Sequence, residues 1–309
     1  MRHFKLMLPL ITAMLLVPSL CFAEGHFQLP KDISILWVLP FVCMLLSIAL
    51  GPLFAPHFWE HHFGKVALFW ALAFLVPCGL IYGYENAAFL ALDSLLLEYI
   101  PFILLLLSLF TVAGGIRLKG TLVGNPIVNT GILALGAFLA SWMGTTGSAM
   151  LLIRPLLNAN KHRRFRVHQV IFFIFLVANI GGSLSPLGDP PLFLGFLKGV
   201  SFFWTTVHLF PVTLLAVAIL LGVYLVLDTV LFLIEKCPKP ENANTGEKLG
   251  FEGNINFIFL GCIVLNTLIS GAWSGPVFHI YGVPMELQNV IRDIMYIVIA
   301  IASWVKTDR

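Results

Sequence analysis

The sequence predicts an all-α polytopic membrane protein, and three observations carry that prediction. Hydrophobic residues make up 59% of the chain and charged residues only 11%, where a soluble domain carries about a quarter charged. Runs such as 33–54 and 214–234 meet or approach the ~20 apolar residues that a helix needs to cross the hydrocarbon core. Glycine- and proline-rich breaks interrupt other apolar stretches, and irregular backbone at membrane depth is tolerated only where it is buried in protein or lines a wet cavity.

Taken in order, residues 1–23 read as a signal peptide. Arg2 and Lys5 form a basic tip, residues 6–20 an apolar run, and Cys21-Phe22-Ala23 resembles a small-residue cleavage site. Cleavage would leave Glu24 outside. Residues 33–54 then run inward, 57–64 form an inner loop, and 65–84 return outward. Asp93 and Glu98 fall on an interfacial helix before Pro101, and 101–116 run inward to Arg117 and Lys119. The next basic cluster is Lys161, Arg163, Arg164 and Arg166, and the positive-inside rule puts both basic loops in the cytoplasm.

The stretch 127–157 must leave the cytoplasm and return with only about fifteen residues each way, short of a full span. It reads as a re-entrant hairpin of two half-helices with its tip at Gly144-Thr145-Thr146-Gly147-Ser148, or else as two short, tilted spans. Residues 166–200 form one outward crossing interrupted in its middle. Residues 204–234 come back, with Pro211 dividing an interfacial piece from the span. A polar cytoplasmic linker, 236–253, leads to an outward span, 254–273, and an inward one, 290–305.

Composition excludes other classes. The five cysteines form no Cys-x-x-Cys pair, so neither a disulfide framework nor a zinc knuckle is expected. The net charge of +3 is modest and implies no nucleic-acid partner. His57, His61 and His62 beside Glu60 share a helix face, but Phe58, Trp59 and Phe63 around them suggest an aromatic interfacial belt rather than a metal site.

The candidate site lies in the two breaks. An ionisable residue at membrane depth costs roughly 2.5 kcal/mol or more and is a functional hypothesis by default, which singles out Asp189. Followed by Pro190 and Pro191, it also has the grammar of a helix N-cap. Carbonyls at Asn179, Gly181 and Gly182, hydroxyls of Ser183 and Ser185, and the Asn179 amide could join it in an all-oxygen site for a hard cation, with Na⁺ held at Asp189 and Ser183. Thr145, Thr146 and Ser148 offer the same chemistry at the hairpin tip, where the half-helix after Gly147 presents N–H groups to an anion. Asp228, deep in its span, reads as a snorkelling or capping residue, with a proton relay as the alternative, and Arg154 as a headgroup anchor.

The run Ala178-Asn179-Ile180-Gly181-Gly182-Ser183-Leu184-Ser185-Pro186-Leu187-Gly188-Asp189-Pro190-Pro191 resembles the broken-helix motif of the ion-transporter superfamily. That group includes sodium/proton antiporters, citrate (CitMHS-like) and dicarboxylate carriers, and arsenite permeases. The hairpin departs from the group's usual pattern, with Gly144-Thr145-Thr146-Gly147 where relatives carry Asp-Asn or Ser-Asn before Thr. The resemblance implies two inverted repeats around a midplane site. It assigns 24–235 to the first repeat and 254–309 to the start of a second, incomplete one.

What the resemblance implies is cation-coupled secondary transport in a bacterial inner membrane, foremost Na⁺/H⁺ exchange, with citrate or organic-anion symport as the alternative. The coupling ions would be Na⁺ or H⁺ with no bound cofactor, the partners the bilayer and the transported ion, and a homodimer the candidate assembly. An arsenite-type permease and an intramembrane protease are remote alternatives. Gly188-Asp189 invites comparison with membrane aspartyl proteases, but Pro186 breaks the Gly-x-Gly-Asp form, and neither a zinc-protease motif nor a nucleophile elbow is present. An enzyme is not expected.

Overall fold

A computed structural model describes residues 34–120, 122–235 and 250–307. The signal-peptide reading and most of the linker fall outside them. Ten α-helices run through the described residues: α1 (Leu39–Phe54), α2 (Pro56–Tyr82), α3 (Tyr84–Ser94), α4 (Ile100–Gly114), α5 (Pro126–Ala159), α6 (Val167–Leu176), α7 (Pro190–Leu197), α8 (Trp204–Glu235), α9 (Ile255–Ala272) and α10 (Leu287–Lys306). Eight helical stretches among them are long and apolar enough to cross a membrane, so the chain is an all-α polytopic membrane protein.

The chain divides into two compact units. The first comprises residues 34–96 with 277–285, the second 97–276 with 286–307. In the first, α1 and α2 pair across Trp70, whose indole N–H donates to Ser47 Oγ at 3.1 Å, while the Trp37 ring meets Phe74 and Tyr82. Residues 57–64, expected as a loop, open α2 instead. Pro56 occupies the first helical turn, where its missing N–H costs nothing. His61 and His62 are engaged there with main-chain carbonyls of the preceding turn, at 2.9 and 3.1 Å. A short hairpin, β3 (Val277–Ile280) and β4 (Val283–Glu286), completes this unit's share of the fold.

Helix α3 runs through a π turn, Leu95–Tyr99, directly into α4, so that Tyr84–Gly114 is one helical run. Pro211 likewise lies inside an uninterrupted α8.

In the second unit, α4 is the central post. Its Leu105, Leu109 and Val112 are buried against Leu133 and Leu152 of α5, Phe193 of α7, and Tyr296 of α10 in one core. After α4, the strand β1 (Arg117–Lys119) pairs antiparallel with β2 (Gly250–Glu252), setting Arg117 opposite Glu252, and Lys119 closes an ion pair with Glu252.

Helix α10 is amphipathic in the sense opposite to a soluble helix. Gln288, Arg292, Asp293 and Ser303 face inward and are buried, while Ile294, Val298, Ile301 and Trp304 stand outward and exposed. Its inward groups are satisfied. Arg292 bonds Asp293 and Asn289, Tyr296 meets Thr267 of α9 at 2.7 Å, and Ser303 donates to Asn256 at 2.7 Å. A polar stripe turned inward and an apolar face turned outward is what lipid as solvent selects.

Candidate functional site

The stretch expected as a hairpin, 127–157, folds back on itself. Asn125 caps α5, its Oδ1 accepting from Val128 N–H at 2.8 Å, and Pro126 fills the first turn. The helix reverses at Gly144, whose φ of 79° and ψ of 152° are open to glycine and strained for any side chain. The two arms then run back along each other. Ser148 Oγ donates to the Gly136 carbonyl at 2.8 Å, and at the base Asn129 and Asn160 exchange amide hydrogen bonds of 3.0 and 2.8 Å.

The interrupted helix is present as well. Helix α6 ends at Leu176, a 3-10 turn spans Ile180–Leu184, and Ser185 is extended. A turn closed by Gly188 N–H to the Ser185 carbonyl at 3.0 Å then leads to Asp189 and α7.

The two breaks meet. Thr145 N–H donates to the Gly188 carbonyl at 3.1 Å, Ser141 Oγ donates to the Gly181 carbonyl at 2.5 Å, and Ser185 Oγ donates to the Ser141 carbonyl. A Cβ on Gly182 would overlap the Thr145 methyl and the Gly188 carbonyl, and one on Gly188 would overlap Gly182. Glycine at both positions is thus what lets the main chains touch.

At this junction a cavity of about 180 Å³ is walled by Thr145, Thr146, Gly188 and Asp189 on one side and Leu105, Leu109 and Phe193 on the other. Asp189 occupies the N-cap position of α7, but the capping bond that the sequence suggested is absent. The reason is local. The prolines at 190 and 191 have no N–H to give, and the N–H groups of Leu192 and Phe193 turn to the Asp189 carbonyl at 3.1 and 3.3 Å. The carboxylate is left exposed on the cavity wall.

The other candidate residues divide. Thr145 and Thr146 line the cavity with Asp189. Ser183 lies outside it, its hydroxyl 3.0 Å from Thr213 Oγ1 of α8. Ser148 and Ser185 are buried and spend their hydroxyls on main-chain carbonyls. The Gly181 carbonyl is taken by Ser141, Gly182 N–H bonds the Asn179 carbonyl at 3.0 Å, and Asn179 itself is exposed away from the cavity.

A second polar cluster, at the basic end, was missed in the sequence. Asp228 does not snorkel to the interface but is fully buried on α8. Its Oδ1 accepts from Arg163 Nη1 at 2.5 Å and lies 2.9 Å from His168 Nε2, and its Oδ2 accepts from Asn129 at 3.0 Å and Tyr224 at 3.2 Å. Three donors and an imidazole nitrogen thus surround one carboxylate, and the Arg163 guanidinium is its counter-charge. Arg163, 2% exposed, also reaches Glu235 at 3.3 Å, and Gln169 donates to Asn160 at 3.0 Å. The network thereby ties the bases of both hairpin arms to α6 and α8. The one available signal was an acid deep in an apolar span, and its partner sat in what read as a surface cluster.

No curated protein and no solved structure matches the chain. Residues 30–309, however, match the family described as "Putative citrate transport". That match covers the hairpin, the interrupted helix and every candidate residue in them, and the chain belongs to this membrane transporter family.

Proposed function

We propose that the chain carries the cation-binding site of a secondary transporter that moves a citrate-type organic anion together with Na⁺ or H⁺. The observation that supports this most directly is Asp189, a carboxylate without a capping bond at the point where two main-chain breaks meet. Carboxylate and hydroxyl oxygens suit a hard cation, and Asp189 with Thr145 and Thr146 supplies such a set. Neutralised by the cation, the junction can accept a carboxylate at the opened backbone, so that binding of one ion favours the other. The basic end faces the cytoplasm of a bacterial inner membrane in this reading, following the positive-inside rule.

The same carboxylate favours a second reading, Na⁺/H⁺ exchange, in which Na⁺ and a proton compete for Asp189. Proteoliposomes holding the full-length protein separate the two. Labelled citrate uptake driven by an inward Na⁺ or proton gradient, reduced more than tenfold in Asp189→Asn, is expected for the symporter. Dissipation of a pH gradient by Na⁺ without citrate, lost in the same variant, supports exchange. Either flux continuing unchanged in Asp189→Asn refutes the role given to that residue.

A further inference from the structure

Among the described residues, two arginines at the basic end stand without a carboxylate. Arg117 lies on β1, just past α4, and Arg154 on the second arm of the hairpin. Both are exposed, and among the described residues no acidic side chain is within ion-pair distance of either. Glu252, which faces Arg117 across the β1–β2 ladder, closes on Lys119 instead. Arg117, Arg154 and Asn158 together line an open cleft of about 740 Å³ that none of the described acids lines.

The cleft adjoins the junction site along one seam. Its inner wall includes Ala113 and Gly114 of α4 and Met150 and Leu151 of the hairpin. About one helical turn farther in, Leu109, Phe110 and Gly147 line the junction cavity. Gly147, Leu151 and Arg154 are spaced three or four residues apart and follow one flank of the hairpin's second arm, while Phe110 and Gly114 lead along α4 to Arg117 at the start of β1. From Gly147 to Arg154 the rise is about 10 Å at 1.5 Å per residue.

Guanidinium groups present planar forks of donors that match carboxylate geometry. A cleft lined by one sign of charge raises the local concentration of the opposite ion. We infer that this cleft is the mouth of the transport path at the basic end, and that Arg117 and Arg154 bind a di- or tricarboxylate there before or after it occupies the junction. The inference rests on the carrier reading above, and its chemistry, an anion offering two oxyanion groups, is shared with phospholipid headgroups.

The test is citrate binding by calorimetry to the full-length protein in phosphatidylcholine nanodiscs without Na⁺. Citrate should bind at least tenfold more tightly than acetate. Arg117→Gln and Arg154→Gln should each weaken it about tenfold, the scale of one lost charge-assisted hydrogen bond, while the lysine variants recover part of the loss. Arg164→Gln, which removes an equal charge outside the cleft, should leave it unchanged. Equal affinity in the wild type and the double glutamine variant overturns the inference. So does loss of citrate binding when phosphatidylglycerol is added, which would assign the arginines to lipid. Arginine-dependent binding without citrate uptake would leave the anion site standing and remove the carrier reading, and with it the mouth; uptake with arginine-independent binding would overturn the site and keep the carrier.

Discussion

Removal of the Asp228 carboxylate is the sharpest test of how the hairpin is held. In Asp228→Ala, Arg163 keeps only Glu235, at 3.3 Å, as a counter-charge, while Tyr224 and His168 lose the acceptor they share. Both side chains of the Asp228–Arg163 pair are 0% exposed, so water cannot replace what is lost. Breaking a buried pair by removing one partner costs about 3–5 kcal/mol. The contact to Glu235 argues for the lower half of that range. At roughly 2–4 °C per kcal/mol, the melting temperature in detergent should fall on the order of 10 °C. Asp228→Asn keeps one acceptor oxygen but turns an amide donor toward Asn129, so it should fall between alanine and wild type. Tyr224→Phe, losing one hydrogen bond, should cost about 1 kcal/mol. A snorkelling aspartate would behave otherwise, since exposed ion pairs contribute about 0–1 kcal/mol. An alanine variant no less stable than Tyr224→Phe refutes the buried brace.

Three further outcomes follow from the same geometry. Gly144→Ala forces a side chain into backbone space open to glycine, with its Cβ 3.3 Å from the Leu187 carbonyl; a cost of about 1–3 kcal/mol should appear as a lower melting temperature, and an unchanged one would remove the strained reversal. Ser141→Ala leaves the buried Gly181 carbonyl without its donor and should cost about 1–3 kcal/mol, measured in the same way. Burial, with Arg163 nearby, holds the His162 imidazole below its ordinary range despite the opposing charge of Glu235. The unfolded chain therefore binds that proton more readily, and stability drops as pH falls from about 6.5 toward the folded value. His162→Gln should flatten that part of the pH–stability profile, and an identical profile would show that His162 does not contribute.

The hairpin, its tip and its meeting with the interrupted helix were legible in the sequence, because backbone breaks at membrane depth are rare and glycine marks them. Gly144, Gly182 and Gly188 each stand where a Cβ would strain the chain or meet a neighbour. Hydroxyl orientation was not legible. A serine near an opened backbone reads as a ligand, yet Ser148 and Ser185 satisfy carbonyls, a choice set by tertiary neighbours. The Asp228–Arg163 pair joins residues 65 positions apart, and nothing local distinguishes an arginine that folds inward from its exposed neighbours Arg164 and Arg166. Helix α2 ran past its expected start because aromatic and histidine side chains suit an interfacial helix as well as a loop.

The hairpin is fastened unequally at its two ends. Its base is bolted through charged and amide groups to two other helices, whereas its tip touches the interrupted helix through one Thr145–Gly188 main-chain bond, two serine hydroxyls and bare glycines. The tip is therefore held with no charged group, and the base with several. If the path opens by local motion, the hinge belongs at the tip; if it opens by displacement of a whole body, the hairpin and helices α6 and α8 travel as one piece of cargo-bearing machinery.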